Sequence, residues 1–277
     1  MWACPYCRLA LRDNASRSSL VCDNGHSFDR AREGYVNLLP PNRRSSRAPG
    51  DSPEMVAARR RVHGADAYRP LADAIAARLA GRVTTGVVLD LGCGEGYYST
   101  ALIADHEVYG VDISRAAVRL AAKSCREGSF AVASAFELPL PDEVFDAVLR
   151  VFAPSDDREV RRVLKPAGCY LEVSPGPRHM WQLREQIYDA AREHDPVRKE
   201  LNGMQLVQVE SVDYELRPGA QLKTDLIAMT PYAHRGDPAR RKEWGKTALV
   251  SLTMSFALHL YCNIPGLERK ETLDGRV

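Results

Sequence analysis

Between Val87 and Pro175 the chain alternates short apolar runs with amphipathic ones. VVLDLG at 87–92 reads as a buried strand ending in glycine, and YYSTALIAD at 97–105 as a helix. VYGVD at 108–112 is a second strand, followed by a helix over SRAAVRLAAKSC with Ser114 as its cap. FAVAS, FDAVLRVF and CYLEVSP supply three more strands, with a helix over DREVRRVLK between the last two. Strands alternating with helices at this spacing predict an α/β fold, a doubly wound parallel sheet. Upstream, RPLADAIAARLAGRV places Leu71, Ile75 and Leu79 four residues apart, as on one helical face. Downstream, a helix is expected near 180–194. MQLVQVESVDYELR and TALVSLTMSFALHLY then alternate strictly enough to predict an antiparallel pair closing one edge of the sheet.

The pattern predicts three parts. Residues 1–35 form a small turn-rich unit, residues 36–68 a connecting segment rich in Pro, Ser and Arg, and residues 69–277 the α/β domain, whose polar tail from Pro265 is expected to fray. Of 277 residues, 45% are hydrophobic and 27% charged, the balance of a globular chain. The run ALVSLTMSFALHLY is broken by Ser, Thr and His and is too short to span a bilayer, so no membrane partner is expected. Seven cysteines and no leader-like start point to a reducing cytoplasm, where clustered thiols more often bind metal than pair. Net charge is only +2, but residues 1–62 hold eleven arginines, no lysine and six acids, an excess of 11 − 6 = +5. Arginine's planar fork suits phosphates and stacked bases, so the imbalance suggests nucleic acid.

The front unit carries Cys4-x2-Cys7, fourteen further residues, then Cys22-x3-His26. Each short spacing lets one tight turn aim two donors at a single ion, and two such turns complete a tetrahedron for Zn²⁺. A unit of about thirty residues cannot hold itself together by burial, so the metal supplies its folding free energy. With four protein ligands no position stays open, and the site is structural. Three thiolates and Zn²⁺ leave a net −1, which Arg8, Arg12 and Arg17 are placed to offset while facing a phosphate backbone.

LDLGCGEGYYS places Gly92, Gly94 and Gly96 between a strand and a helix, with Asp90 inside the strand end. The spacing G-x-G-x-G is shorter than the loop that cradles a pyrophosphate. It suits a cofactor whose amino-acid portion approaches the backbone closely. Asp112 ends the next strand, sixteen residues past Gly96, where a carboxylate accepts both ribose hydroxyls. Together these features predict a Rossmann-like, S-adenosylmethionine-dependent methyltransferase. The substrate-side loop reads Ala153-Pro154-Ser155, not the Asn- or Asp-Pro-Pro-aromatic tetrad of exocyclic-amine enzymes, and no cysteine follows a proline as pyrimidine C5 chemistry requires. A ring nitrogen, a hydroxyl or a small molecule remains as the acceptor.

Several stretches together resemble the bacterial 23S rRNA guanine-N1 methyltransferases that carry a zinc domain. They are the Cys4, Cys7, Cys22, His26 cluster, EGYVNLLP at 33–40, GDSPEMVAARR at 50–60 and LDLGCGEGYYS at 89–99, with VFAPSDDREVRRVLKPAG at 151–168 and PGPRHMWQL at 175–183. The resemblance implies methylation of guanine N1 in hairpin 35 of 23S rRNA, a zinc domain that grips RNA as an outrigger, and a homodimer. The GCGEGYY and TPYAHR wording leans toward position 745 rather than 748. By motif, Tyr68, Tyr98, Ser99 and His179 join Asp90, Gly92, Gly94, Gly96 and Asp112 at the cofactor; unaided, Tyr68 reads as a packing residue and His179 as a helix start. The N1 proton needs an acceptor, for which Asp156, Asp157 or a backbone carbonyl between Phe152 and Pro154 are the candidates, although both aspartates equally suit capping a helix. Two rivals predict otherwise: a small-molecule methyltransferase whose zinc module binds a protein partner, and a non-catalytic RNA-binding scaffold.

Overall fold

The computed structural model describes residues 1–41, 50–195, 200–247 and 251–264. A small antiparallel sheet comes first, from β1 (Trp2–Ala3), β2 (Ala10–Asp13), β3 (Ser19–Val21) and β4 (Ser27–Asp29), paired in chain order. The large sheet takes β5 (Val36–Asn37), β6 (Gly86–Leu91), β7 (His106–Asp112), β8 (Ser129–Val132), β9 (Phe145–Val151), β10 (Leu164–Pro175), β11 (Met204–Leu216) and β12 (Leu252–Asn263). Its order is β11-β12-β10-β9-β6-β7-β8-β5. The strands from β10 to β5 run parallel, and β12 and β11 close the other edge antiparallel.

Successive side chains take opposite faces of the sheet. Val88, Val108 and Leu149 join a core with Leu71, Ile75 and Leu79 of α2 (Arg69–Ala80). Their neighbours Leu89, Tyr109 and Val148 point to a second core on the opposite face. Strands buried on both faces need continuous apolar runs, which is why the central strands lack the strict alternation seen in β11.

That second core is shared with the small sheet. Trp2, Cys4, Leu11, Leu20 and Cys22 lie in one apolar cluster with Leu91, Tyr109, Leu138 and Leu140. Trp2 meets Tyr109 edge-on at 5.4 Å, and Ala3 donates its N–H to the Pro139 carbonyl at 2.9 Å. Arg8, expected to face a phosphate backbone, instead donates to the carbonyls of Leu138 (2.6 Å) and Leu140 (3.1 Å). The front unit is therefore seated on the large sheet and is not an outrigger. Too small to bury its own apolar side chains, it buries them against the domain behind it.

The connecting segment is more than a connector. Val36, fully buried, pairs with Ala131 and makes β5 the last strand of the sheet. α1 (Pro53–Gly64) begins with Pro53 in its first turn, and the Ser52 hydroxyl accepts the Met55 N–H at 3.2 Å. Arg43, Arg44 and Arg47 lie outside the described residues, as does the tail from Pro265.

Three short helices take the places foreseen: α3 (Tyr97–Leu102), α4 (Arg115–Ser124) and α5 (Asp157–Val163). Ser114 does precede α4 but does not cap it; its hydroxyl donates to the Asp51 carbonyl at 3.2 Å. The helix expected over 180–194 is shorter, α6 (Trp181–Ile187). Its Ile187 carbonyl accepts the Asp237 N–H at 3.0 Å, a partner from outside the helix. Between β11 and β12 the chain inserts α7 (Ala220–Ala228), a 3-10 turn (Pro231–His234) and α8 (Pro238–Lys246). Asp237 caps α8 through the N–H groups of Ala239 (2.7 Å) and Arg240 (3.1 Å). Among the described residues no helix is long and apolar enough to cross a membrane.

Candidate active site and metal centre

Strand order reverses between β6 and β9: from β6 the chain winds outward through β7 and β8, then returns to β9 on the other side. Two loops diverge at such a point and leave a crevice beyond the strand ends, the usual ligand position in open α/β sheets. Here the crevice is a cavity of 620 Å³. The glycine loop after β6 forms one wall, and Phe152, Ala153 and Pro154 after β9 form the next.

The loop's path is set by hydrogen bonds and close contacts. Gly92 and Cys93 donate to the Val111 carbonyl at 2.8 and 3.1 Å, holding the turn against β7. Gly92 has φ +78°, and a Cβ there would lie 2.3 Å from the Ala153 Cβ. Gly96 has φ +84° at the start of α3, and its Cβ would meet Ala121 of α4 at 3.0 Å. Only glycine allows both turns and lets both neighbours approach.

Beneath the loop lies Asp90, buried within β6, whose Oδ2 accepts the Ser99 hydroxyl at 2.5 Å. Burial pushes its carboxyl up to about 7, against the opposing pull of that hydrogen bond. Asp112 sits higher, at the cavity wall; its Oδ1 accepts the Ser114 N–H at 2.7 Å and its Oδ2 the Gly94 N–H at 3.0 Å. Burial raises this carboxyl too, while those two N–H groups oppose the shift.

Of the nine residues expected at the cofactor, Tyr68, Gly92, Gly94, Tyr98, Asp112 and His179 line the cavity. Asp90, Gly96 and Ser99 do not; they hold the loop from below. Tyr98 is buried and its hydroxyl has no hydrogen-bond partner among the described residues. An unpaired buried hydroxyl on a ligand-sized cavity fits a polar guest. His179 accepts the Ser255 N–H on Nδ1 at 3.4 Å and packs 4.7 Å from Phe256. Burial, then His194 and Arg184, push its imidazole down to about 3, so it is neutral.

Asp156 and Asp157, the candidate proton acceptors, are not among the cavity's lining residues. Asp156 caps α5 by accepting the Arg158 N–H at 2.9 Å, and Asp157 lies 3.6 Å from the Arg150 guanidinium. Phe152, Ala153 and Pro154 do line it, Phe152 at φ +55°, an uncommon conformation for a bulky residue.

Several lining residues escaped sequence reasoning. α1 and the turn before it contribute Asp51, Met55, Arg59 and His63, with Arg59 paired to Asp51 at 2.5 Å. His63 pairs with Glu95 at 2.8 Å and stacks on Tyr97 at 4.0 Å. Further lining comes from His194, Thr230, Tyr232 and Arg235. The GDSPEMVAARR and TPYAHR wording marks Asp51, Met55, Arg59, Thr230, Tyr232 and Arg235 without giving them a role, and no local pattern marks His194.

In the front unit, donor atoms of Cys4, Cys7, Cys22 and His26 all lie within 4.8 Å of one another. The His26 Nδ1 is 3.5, 3.6 and 3.4 Å from the sulfurs of Cys4, Cys7 and Cys22, and the sulfurs of Cys7 and Cys22 are 3.7 Å apart. Zn–S bonds of about 2.3 Å and a Zn–N bond of about 2.0–2.1 Å imply tetrahedral edges of about 3.8 Å between sulfurs and about 3.5 Å from sulfur to nitrogen. The cluster has the dimensions of a zinc-binding site.

Comparison with known proteins matches this geometry. A family model described as "RlmA, N-terminal", a zinc ribbon, matches residues 2–47, and one described as "Methyltransferase domain" matches residues 88–168. A 23S rRNA (guanine(748)-N(1))-methyltransferase from Streptomyces fradiae is 36% identical over 247 residues, covering 85% of this chain and 86% of the relative. A Micromonospora griseorubida protein provisionally named as a 23S rRNA (guanine-N(1)-)-methyltransferase is 33% identical, covering 86% and 88%. YxjB of Bacillus subtilis, provisionally named likewise, is 35% identical over 68% of this chain and 69% of its own length.

Two outcomes follow from the site. Stripping zinc from the full-length protein with a chelator should lower its unfolding temperature, because the ribbon closes a shared core. A loss of even about 3 kcal/mol, well below the binding energy of structural zinc sites, corresponds to roughly 6–12 °C in a chain of this size. An unchanged melting curve after verified metal removal would contradict this. For Asp90 the folded carboxyl titrates above its unfolded value of 3.8, so it costs stability as pH rises from about 4 to about 7. Asp90→Asn should therefore gain about 2–3 kcal/mol relative to wild type between pH 5 and pH 8 in urea unfolding. A pH-independent difference would show that the carboxyl is not perturbed.

Proposed function

This chain belongs to the 23S rRNA (guanine-N1)-methyltransferases, and from that premise we propose that it methylates N1 of a guanine in hairpin 35 of that RNA. The cavity at the strand-order reversal supports this reading: groups suited to the cofactor line one wall and an exposed aromatic ring the next. S-adenosylmethionine supplies an activated methyl on a sulfonium sulfur. Asp112 has lone pairs beyond those its two N–H donors use, so it can accept ribose hydroxyls. The Tyr98 hydroxyl and the Gly94 backbone would face the same guest, and Arg59, beside Gly94, would offer a cation to its carboxylate.

Transfer from a sulfonium needs alignment more than covalent help. The protein must take the guanine out of its pair, at a cost of about a few kcal/mol, and seat N1 in line with the methyl. Phe152, 43% exposed and held at the cavity mouth, offers an extruded base a stacking surface. The zinc ribbon adds a second grip: Tyr6, 54% exposed, stacks with Phe28, and Arg12 and Arg17 are exposed nearby. The homodimer and the cytoplasmic setting implied by the sequence belong to the same proposal; Val207 and Val209, exposed on the edge strand β11, are compatible with a partner copy.

Family membership argues against the small-molecule and scaffold readings. On the position, the Streptomyces relative is named for guanine 748, and its likeness runs over 86% of its length. The wording that leans to 745 rests on about a dozen residues, so we favour 748. Primer extension on a 23S rRNA fragment treated with protein and S-adenosylmethionine tests this, because a methyl on N1 blocks pairing and halts reverse transcriptase. A new stop at 748 is the expected result. A stop at 745 would move the position but keep the reaction. No stop, from zinc-loaded protein that binds the cofactor, would overturn the reading.

A further inference from the structure

Neutral guanine carries a hydrogen on N1, so methylation there needs an acceptor within the cavity. Three carboxylates line it, each tied through at least one oxygen to groups on or beside the glycine loop. Asp51 pairs with Arg59 at 2.5 Å, Glu95 with His63 at 2.8 Å, and Asp112 takes the N–H groups of Ser114 and Gly94. Of the three lining histidines, His63 is held by Glu95. His179 accepts the Ser255 N–H on Nδ1, which places the proton of its neutral ring on Nε2. That leaves His179 a donor nitrogen, suited to a carbonyl oxygen such as guanine O6 but not to the N1 hydrogen.

His194 is placed differently. It lines the cavity from the segment after α6, half-buried, with its backbone N–H on the Pro177 carbonyl at 2.9 Å. The same carbonyl accepts Arg184 Nη1 at 3.2 Å, so the PGPRH turn and α6 together fix the residue's position. Its Nε2 is 3.3 Å from the Tyr232 hydroxyl, and Tyr232, which also lines the cavity, has the Tyr188 ring against it at 6.4 Å.

Building on the guanine-N1 reading, we propose that His194, oriented by Tyr232, takes the N1 proton of the target guanine. The groups that set its charge are Arg184 of α6, His179 of the preceding turn, Tyr232 of the 3-10 turn and Arg235 beyond it; Glu193 is turned to Arg178 at 4.0 Å. Burial and then Arg184 hold its imidazole below the ordinary histidine range, so at neutral pH it is the free base. The N1 proton passes to the ring, the N1 electron pair bonds the methyl carbon, and the C–S pair returns to sulfur, which leaves as a neutral thioether. In either tautomer the proton ends on the imidazole. It arrives directly at Nδ1 when Nε2–H donates to the phenol, or through the phenol at Nε2 when Tyr232 is the donor. The imidazolium then releases its proton to solvent.

The test uses full-length His194→Gln, His194→Ala and Tyr232→Phe on a 23S rRNA substrate, with turnover followed across pH 6 to 10. Calorimetric S-adenosylmethionine binding and thermal melts serve as parallel readouts. At neutral pH His194→Gln should lose about 10²–10⁴-fold in kcat with KM and cofactor affinity held. Its rate should climb toward wild type in alkali, where guanine N1 ionises unaided, and added imidazole should rescue His194→Ala. Tyr232→Phe should lose less and shift the acidic limb of the profile. A His194→Gln enzyme within about twofold of wild type, or one whose defect is the same at every pH, would overturn the assignment. A wild-type enzyme that leaves no stop on the RNA would instead count against the guanine-N1 reading itself.

Discussion

Asp90 near the end of β6 and Asp112 at the end of β7 stand on neighbouring strands, Asp90 buried and Asp112 half-buried at the cavity wall, and the site is built around satisfying them. A carboxylate removed from solvent is costly unless hydrogen bonds replace the lost water. Ser99 returns from the first turn of α3 to Asp90, while Gly94 and Ser114 close on Asp112. The loop between the strands must therefore fold back over both, and it can do so only through residues that accept positive φ and the nearness of Ala153 and Ala121. The shape of the glycine-loop wall thus follows from two carboxyl groups at strand ends. One of them never reaches the cavity.

The zinc ribbon depends on the same sheet from its other face. Its apolar residues share a cluster with Leu91, Tyr109 and Leu138, and Arg8 ties it to two backbone carbonyls of the domain. Metal and burial would then act together: a bound ion would fix two turns too short to hold themselves, and the sheet supplies the apolar surface that the turns lack. The grip on RNA proposed for the ribbon would, mounted in this way, keep a fixed offset from the cavity, which a flexible tether would not provide.

Much of this was legible in the sequence because the signals are local. Buried runs bounded by glycine, the G-x-G-x-G spacing and the paired Cys/His turns each state their geometry within a few residues, and the long alternation of β11 and β12 marks an edge pair. What escaped depends on tertiary contact. β5 is two residues long and exists only because β8 has a free edge beside it. The nine-residue helices α7 and α8 gain stability from packing, although the Asp237–Pro238 start of α8 was there to be read. Asp90 and Ser99 look like ligand residues by position and turn out to hold one another, while Ser114 looks like a cap and donates to Asp51 instead. His194 lies outside any helix or strand, so only the folded chain brings it to Tyr232.

The central claim is that the wall formed by the glycine loop and Asp112 holds S-adenosylmethionine. Calorimetric titration of the cofactor into full-length wild type and Asp112→Ala tests it most directly. Losing hydrogen bonds to a charged group, about 1.5–3 kcal/mol, should weaken binding about 10- to 100-fold in a variant that still unfolds cooperatively. Equal affinity in the two proteins would contradict the account and place the cofactor elsewhere.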